Sequence, residues 1–463
     1  MALAPAPPTV EPASGPDAPL PLWRIVSYGV AGIGVTAMGF INAIYLLKFA
    51  TDVLLIAPGV MGVVLFLGRV WDAISDPIVG RMSDRTSSRF GRRRGWIYAS
   101  APITAVSFAL LWSPPAALAG TPLALWICVL LLVFSTAQTM FLVPYYALGV
   151  ELSRDHHERT RIFGIYRLMT GPGLLLGLLV FYLLVSSDAP RSFAVTLAIA
   201  LAAGSCLLTA GGVAPLRERT DHQGRGGEGI TNAFLDVYRN PHARILLSMY
   251  AIESFGAATA GLLALYVMQY IVKLPSSYTI VILLCSILPQ FLLGPLWISV
   301  SRRVGKRRLW VIGTAIATVS WFFDSFLAEG MFFLWGLMAF VSGVTMGLGH
   351  VIGLSVKADV IDYDELVTGE RKEGAYLAVW TFVQKSMSGV LAMVLGFGLQ
   401  LVGFEPNVEQ SESTQRMILA LYGFLPAGCY AIGMLLLMRF QLNEAEHAEI
   451  RRQLDARNAG TGG

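Results

Sequence analysis

Apolar runs of about twenty residues recur along nearly the whole of this 463-residue chain. A helix needs about 20 apolar residues to cross the hydrocarbon core of a bilayer. Only 14% of the residues are charged, whereas soluble domains have roughly 25%. The sequence therefore predicts an all-α membrane protein with twelve transmembrane helices, near residues 28–49, 59–80, 96–111, 124–149, 162–184, 193–213, 245–272, 278–300, 309–327, 331–356, 375–402 and 417–438.

Polar segments divide these runs into two sets of six. Residues 1–22 are rich in Pro and Ala and lack the basic start of a signal peptide, so we expect a disordered tail. Residues 23–215 and 245–440 are predicted to form two six-helix bundles, joined by a linker at 216–244 and followed by a charged tail at 441–463. The four cysteines lie inside apolar runs and indicate neither a disulfide framework nor a zinc site.

The distribution of Lys and Arg predicts the orientation of the helices. The connections at 81–94, 154–161 and 302–308 are rich in arginine, whereas the alternate connections are poor in cations. Because positively charged loops stay in the cytoplasm, both termini are expected there. We therefore expect a multi-pass protein of the plasma membrane, which in a bacterium is the inner membrane.

A short basic motif occurs twice, once in each set of six runs. Residues 89–96 read R-F-G-R-R-R-G-W, and residues 303–310 read R-V-G-K-R-R-L-W. Two parallel halves of six helices are the architecture of the major facilitator superfamily. The repeat thus predicts that fold.

Three charged residues lie in the middle of the second apolar run. Arg69, Asp72 and Asp76 are spaced by three and four residues and so share one face of a helix. Each charge near the centre of a bilayer costs about 2.5–3.5 kcal/mol, so this face must be turned toward protein or a water-filled cavity. A pair of carboxylates is suited to bind a cation. The alternative, a structural ion pair with Arg69, leaves the second carboxylate without a partner.

Two further charges occur in apolar runs of the second half. Lys385 stands alone in the eleventh run, and the aspartate pair is its natural partner. The alternative is that its ammonium group reaches the membrane surface. Glu253 in the seventh run is a candidate titrating or solute-contacting group, or the partner of a basic residue.

The motif around the aspartates resembles a known family. Residues 71–80 read W-D-A-I-S-D-P-I-V-G, and residues 358–365 read A-D-V-I-D-Y-D-E. These segments are similar to the melibiose-permease-like family of glycoside-pentoside-hexuronide:cation symporters within the major facilitator superfamily. The resemblance implies a transporter and not an enzyme, in which Na⁺ or H⁺ drives the movement of a sugar-like solute by alternating access, with no cofactor besides that cation.

The resemblance also implies functional positions. The family's cation site falls on Asp72, Asp76 and Thr139, with Ser75 where sugar-binding members have an asparagine. Lys385 matches the family's lysine that faces these carboxylates. Arg167 matches an arginine used in sugar recognition, although it could instead anchor its helix at the membrane surface. The expected solute-lining residues are Thr36, Leu142, Tyr146, Arg167 and Glu253, together with Lys385.

Several of these positions depart from the family pattern. Thr36 and Leu142 replace aspartates that accept hydrogen bonds from sugar hydroxyls, and Tyr146 replaces a tryptophan. The run V-P-Y-Y-A-L at 143–148 is similar to the sodium-dependent lysophospholipid symporters. We therefore favour a glycoside with an apolar aglycone and keep an amphiphile such as a lysophospholipid as the alternative. A non-transporting membrane sensor of the same fold is a third possibility, against which the intact charged residues argue.

The basic loops and the acidic residues near them predict a cytoplasmic latch between the two halves, formed by Asp84, Arg85, Arg92, Asp362 and Glu365. The chain contains no glycine-rich phosphate loop and no nucleic-acid reader beside its arginines, so neither ATP-driven transport nor nucleic-acid binding is expected. The expected partners are a small-molecule solute and the lipid bilayer, with the protein acting as a monomer.

Overall fold

The computed structural model describes residues 20–86, 88, 91–153, 156–187, 190–216, 230–370, 372–442 and 444–461. Within these residues the regular structure is helical and no strand is present. Of the tail predicted to be disordered, residues 1–22, the first nineteen lie outside the described residues, and a helix begins at Leu22. Of the predicted linker, residues 216–244, the segment 217–229 lies outside them as well.

Among the described residues, twelve helices make up the two sets of six, and residues 214–240 separate the sixth from the seventh. They are α1 (Leu22–Val53), α2 (Pro58–Arg85), α3 (Arg92–Trp112), α4 (Gly120–Glu151), α5 (His156–Val185), α6 (Pro190–Val213), α7 (Pro241–Ile271), α8 (Thr279–Leu292 and Gly294–Val304), α9 (Lys306–Asp324), α10 (Phe332–Thr368), α11 (Glu373–Leu401) and α12 (Glu412–Arg439).

Not every helix meets the requirements for a membrane span. Ten of the described helices are long and apolar enough to cross a bilayer, and α8 is the eleventh if its two pieces, bent by 49°, form one span. Pro295 lies at the start of the second piece, where a proline removes a backbone donor and bends the helix. Helix α9 has only 19 residues and carries charges at both ends. The all-α membrane architecture is confirmed, whereas the twelfth span stays a prediction.

The helices pack as two groups, α1–α6 and α7–α12. In the first group α3 packs on α4 and α6, and α5 packs on α1. In the second, α10 packs on α8 and α9, and α12 packs on α7 and α9. The most extensive contact between the groups is between α2 and α11, and α1 also meets α7. The larger apolar core is continuous across both groups.

Glycines permit the close approach of α2 to α11. A Cβ atom at Gly62 would lie 2.7 Å from the backbone carbonyl oxygen of Ala392, and one at Gly396 would collide with the carbonyl of Pro58. Small residues at helix–helix contacts in membranes let two backbones come together in this way. The two halves are therefore in tight contact along the first part of α2 and the last part of α11.

The two ends of the bundle differ. We call the end at which α1 begins and α12 ends the terminal face, and the other end the opposite face. At the terminal face the short helix Ile230–Arg239 packs against α11, and the C-terminal helix Glu444–Thr461 packs against α10. Ile450 and Leu454 of the C-terminal helix are buried in this contact.

Candidate functional site

Asp76 is shared between the two halves of the protein. Its Oδ2 atom lies 2.5 Å from Lys385 Nζ of α11. Its Oδ1 atom accepts a hydrogen bond of 2.9 Å from the hydroxyl of Thr139 on α4. Both charged side chains are about one quarter exposed, at 26% and 27%. The carboxylate of Asp76 therefore connects α2 with α4 in its own half and with α11 in the other half.

Asp72 has a different partner, one turn earlier on α2. Its Oδ2 lies 3.7 Å from Arg69 NH1, and its side chain is only 13% exposed. Arg69 thus compensates one of the two carboxylates, and Lys385 compensates the other. Both cations border the same cavity, described below.

Hydroxyl groups complete a cluster of oxygen atoms at this place. Ser75 is buried and its Oγ lies 3.4 Å from Thr139 Oγ1, on the side of α2 that faces α4. Ser75 Oγ also donates to the backbone carbonyl of Asp72 at 3.3 Å. Carboxylate and hydroxyl oxygens are ligands for hard cations. Among the described residues there is no group of three or more His, Cys, Asp or Glu side chains that could hold a metal ion.

A cavity of about 430 Å³ lies beside this charged group. Most of its wall comes from the second half, from helices α7, α9, α10, α11 and α12, and α2 contributes Arg69. The wall contains both aromatic and polar side chains, which suits a solute with both kinds of surface. Its lining includes Arg69, Tyr250, Glu253, Trp310, His350 and Lys385.

Of the predicted solute-lining residues, the structure places Glu253 and Lys385 in the wall of this cavity. Thr36 donates its hydroxyl to the Gly32 carbonyl at 2.8 Å and packs against Gly173 of α5. Leu142 is partly buried against the apolar core. Neither residue lines the cavity, so the structure does not bring them together with Glu253.

The two remaining predicted residues lie on α4 and α5. Tyr146 is 44% exposed, and its hydroxyl lies 3.1 Å from the hydroxyl of Tyr166. Arg167 follows Tyr166 directly and is exposed. Both are exposed, and neither lines the cavity of the second half.

A buried network closes the opposite face. Asp52 at the end of α1 pairs with Lys48 at 2.7 Å and accepts a hydrogen bond of 2.7 Å from the hydroxyl of Tyr270 on α7. The Thr51 and Tyr266 hydroxyls are 2.7 Å apart. These contacts join the first helix of one half to the first helix of the other.

Asn407, in the connection between α11 and α12, completes this network. Its backbone N–H donates to the Tyr270 hydroxyl at 3.0 Å, and its side-chain amide donates to the Asp52 carbonyl at 2.8 Å. Sequence reasoning missed the network. The available signal was the opposite charge of Lys48 and Asp52, four residues apart at the end of the first run.

The ends of α1 and α7 in this network are both wound as π-helical turns, Phe49–Val53 and Val267–Ile271. Such turns are rare and frequently mark functional sites. The ammonium group of Lys48 lies 4.9 Å from the ring centroids of both Tyr266 and Tyr270. The cation is therefore held by one carboxylate and two aromatic rings of the other half.

At the terminal face, the predicted latch residues pair within their own halves. In the first half Asp84 pairs with Arg93, and Arg92 pairs with Glu151 at 2.5 Å. In the second half Asp362 pairs with Arg451 of the C-terminal helix at 3.0 Å.

The other two predicted latch residues, Glu365 and Arg85, also form no ion pair with the opposite half among the described residues. Glu365 lies 4.0 Å from Arg457 of the C-terminal helix, and Arg85 has no ion-pair partner among the described residues. All of these ion pairs of the terminal face lie within one half, whereas the network of the opposite face joins the two halves. The latch between the halves thus stays a prediction for another conformation.

These features define a class of protein. The network of the opposite face joins the two helical halves at one end. Asp72, Asp76 and Lys385 are partly buried charges in the interior of the bundle, and such charges in membrane proteins commonly mark an ion pathway. This arrangement is that of a secondary active transporter that works by alternating access.

The sequence matches the family described as MFS/sugar transport protein over residues 27–444. The chain belongs to this family, and its predicted resemblance to the symporters of the major facilitator superfamily is confirmed.

Several proteins that are similar over most of their length are named as symporters. The chain is 25% identical to the putative glycoside/cation symporter YagG of Escherichia coli (strain K12), with 93% of this chain and 95% of that protein covered. It is 24% identical to the uncharacterized symporter YjmB of Bacillus subtilis (strain 168), with 94% and 95% covered. It is also 25% identical to sodium-dependent lysophosphatidylcholine symporter 1 of Gallus gallus, with 90% and 85% covered.

Solved structures share the fold at low sequence identity. A bacterial homologue of the human lysosomal transporter Spinster, in an inward-facing and unoccupied conformation, superimposes with a TM-score of 0.68 and 12% identity, covering 91% of this chain and 98% of that one. A mutant of the nucleoside transporter NupG gives a TM-score of 0.64 at 12% identity, covering 91% and 99%. The chain therefore has the major facilitator fold. It is a cation-coupled secondary transporter and not an enzyme.

Proposed function

We propose that this protein is a symporter of the bacterial inner membrane that couples Na⁺ or H⁺ to the movement of a sugar-like or glycoside solute. The terminal face is the cytoplasmic face, because the connections at 81–94 and 302–308 concentrate arginine there. The structure is then the inward-facing state, closed toward the outside by the network around Asp52. The protein acts as a monomer.

The observation that carries this proposal is the position of Asp76 between Lys385 and Thr139. A cation that binds at Asp72 and Asp76 removes the electrostatic reason for Lys385 to stay at Asp76. The ammonium group of Lys385 then turns toward the cavity, which is where a solute binds. Because α2 and α11 belong to different halves, the binding of the cation changes the contact on which their relative position depends.

Both cations fit the oxygen atoms at this site. Na⁺ can bind to the two carboxylates with the Thr139 hydroxyl as a neutral ligand. Ser75 has a shorter side chain than the asparagine of sugar-binding relatives, which reduces the number of ligands that reach the ion. Protonation of one carboxylate achieves the same loss of charge without any ligand geometry. The proposal therefore includes H⁺ on equal terms with Na⁺.

Uptake into proteoliposomes tests this function. With an imposed Na⁺ or pH gradient and a set of alkyl and aryl glycosides, the wild type should accumulate a solute above its equilibrium concentration. Asp72→Asn and Asp76→Asn should each abolish the accumulation while the protein remains in the membrane. The exposed carboxylate of Glu409, which pairs with Lys273 at the opposite face, provides the control variant Glu409→Gln. Full accumulation by both aspartate variants would contradict the proposed cation site.

An amphiphile is the second candidate solute. Leu142 stands where sugar-binding relatives have an aspartate, and Tyr146 presents an exposed ring that can pack on an alkyl chain. One group of similar proteins is named for lysophosphatidylcholine. The same proteoliposomes with lysolipids in place of glycosides decide between the two solute classes. If the solute is a glycoside, Leu142→Asp should increase the affinity for simple sugars.

A further inference from the structure

We propose that Glu253 is a second proton-binding site, located in the half that lacks Asp72 and Asp76. The residue lies in the middle of α7 and borders the cavity. Its protonation is independent of the solute. Only the release of this proton during transport rests on the proposed cation coupling.

One of the two carboxyl oxygens of Glu253, a partly exposed residue, is covered by a surface that offers it no hydrogen-bond donor. This oxygen, Oε1, is buried and has no hydrogen-bond partner in the described part of the chain. The covering surface is the backbone of α12 at Gly433, where an added Cβ atom would lie 2.8 Å from Oε1. Any larger residue at position 433 would displace the carboxyl group. The packing therefore encloses the Oε1 atom of Glu253 closely and supplies no donor that would compensate a negative charge on it.

The basic side chains near the cavity contact groups other than the Glu253 carboxyl group. Lys385 of α11 is held by Asp76, and Arg69 of α2 faces Asp72. Lys357 of α10 lies 4.1 Å above the ring of Tyr250, one turn before Glu253 on α7.

The other titratable groups that face this region are His350 of α10 and Tyr430 of α12, which also border the cavity. Helix α9 contributes Trp310 and Thr314 to the wall, neither of which is charged at neutral pH. Among the described residues, no cation lies within ion-pair distance of the Glu253 carboxyl group.

As a carboxylate, Glu253 would lose the hydration of its Oε1 atom without replacement. The cost of burying a charge without a partner far exceeds that of burying a neutral polar group. The acid form avoids this cost, because the buried oxygen can then be a neutral carbonyl oxygen. Since Glu253 borders the cavity, water there can deliver and remove the proton. In the conformation of this structure, Glu253 therefore holds a proton.

Release of the proton follows from the position of Lys385. When a cation binds at Asp72 and Asp76, the ammonium group of Lys385 is free to move within the cavity that it shares with Glu253. Helix α11 packs on α7, so the two side chains belong to neighbouring helices. Glu253 then transfers its proton to water and pairs as a carboxylate with Lys385. When the coupling cation is Na⁺, one Na⁺ enters and one proton leaves, so the net charge of the site is unchanged.

Infrared spectroscopy tests the first step without any transport. The spectrum of purified wild-type protein should contain the carbonyl-stretch band of a protonated carboxylic acid, and Glu253→Gln should remove it. Asp324→Asn is the control, because Asp324 also has a buried oxygen without a partner but lies at the end of α9, away from the cavity. The band that Glu253→Gln removes should persist in the control. An identical band in wild type and Glu253→Gln would overturn the proposal.

A conservative variant protects this test against misfolding. If Glu253→Gln does not fold, Glu253→Asp keeps the acid and should move the band to a different frequency, which assigns it equally well. An unmoved band in Glu253→Asp would show that the acid is another residue.

Proton release tests the second step. Weakly buffered protein with a pH indicator should release about one proton per molecule when NaCl is added, and Glu253→Gln should release none. Equal release by both proteins, or none by wild type, would overturn the exchange with Lys385. If instead the Asp72 and Asp76 variants transport normally, the proposed coupling site is wrong, while the infrared result on Glu253 still stands.

Discussion

Lys385 Nζ lies 2.5 Å from Asp76 Oδ2, and this ion pair joins α11 of one half to α2 of the other. The pair stands near the place where the halves pack most extensively. When the halves change their relative position, the side chains of Lys385 and Asp76 must either move together or separate. The charge state of Asp76 is thus linked to the conformation of the whole transporter.

Removing one partner of this pair should destabilise the protein more than removing both. Lys385→Gln leaves the Asp76 carboxylate without its cation, and an unsatisfied polar group costs about 1–3 kcal/mol. In the double variant Lys385→Gln/Asp76→Asn no charge is left unpaired, so most of this loss should be recovered. Thermal unfolding in detergent measures the effect, with both single variants beside the double one. Additive losses of stability in the double variant would mean that the two side chains do not interact.

Weakening the network at the opposite face should shift the protein away from the conformation seen here. Tyr270→Phe removes a hydrogen bond to the Asp52 carboxylate and another from Asn407. A hydrogen bond to a charged group such as the Asp52 carboxylate contributes about 1.5–3 kcal/mol, so the ratio of open to closed molecules should rise roughly tenfold or more. Spin labels at Leu125 and Phe333, both exposed and each in a different half, report the opening as a longer distance.

The control for this shift is Tyr278→Phe. Tyr278 is an exposed tyrosine at the same face, outside the network, and its hydroxyl makes no hydrogen bond to the described residues. The four native cysteines are replaced before labelling in all variants. Distance distributions that are the same for Tyr270→Phe and the control would show that this network does not hold the face closed.

Enlarging Gly62 should separate α2 from α11. A side chain at this position meets the backbone of Ala392 at 2.7 Å, and backbone cannot give way as a flexible side chain can. Gly62→Val should therefore destabilise the protein by about 1–3 kcal/mol, the usual range for overpacking. Gly428→Ala on α12 is the control, because a Cβ atom there meets nothing within 4 Å. A melting temperature of Gly62→Val equal to that of the control would show that the helices tolerate a wider separation.

Much of the architecture was predictable from local patterns. The apolar runs predicted the positions of the helices, since a backbone in lipid has few alternatives to a helix. The ninth run was the weakest case, because its helix is short and has Lys306 and Asp324 near its ends. The spacing of Asp72 and Asp76 placed both carboxylates on α2, and the lone Lys385 indicated a partner among them.

Other features could not be predicted locally because they depend on how helices are rotated and how far they are shifted. The network of Lys48 and Asp52 with Tyr270 joins residues more than 200 positions apart, and only the docking of α1 on α7 brings them together. The pairing of the latch residue Asp362 with the C-terminal helix depends in the same way on where that helix packs.

The sequence by itself determined that the chain crosses a membrane, that it has two similar halves, and that charges on one face of α2 must turn inward. These conclusions follow from the cost of exposing polar groups to lipid, which does not depend on the partner. Only the tertiary structure decided that Lys385 contacts Asp76 while Arg69 contacts Asp72. It also decided that Glu253 is left with an unpartnered oxygen against Gly433. Such choices depend on differences of a few ångströms between helices far apart in sequence, and no local pattern encodes them.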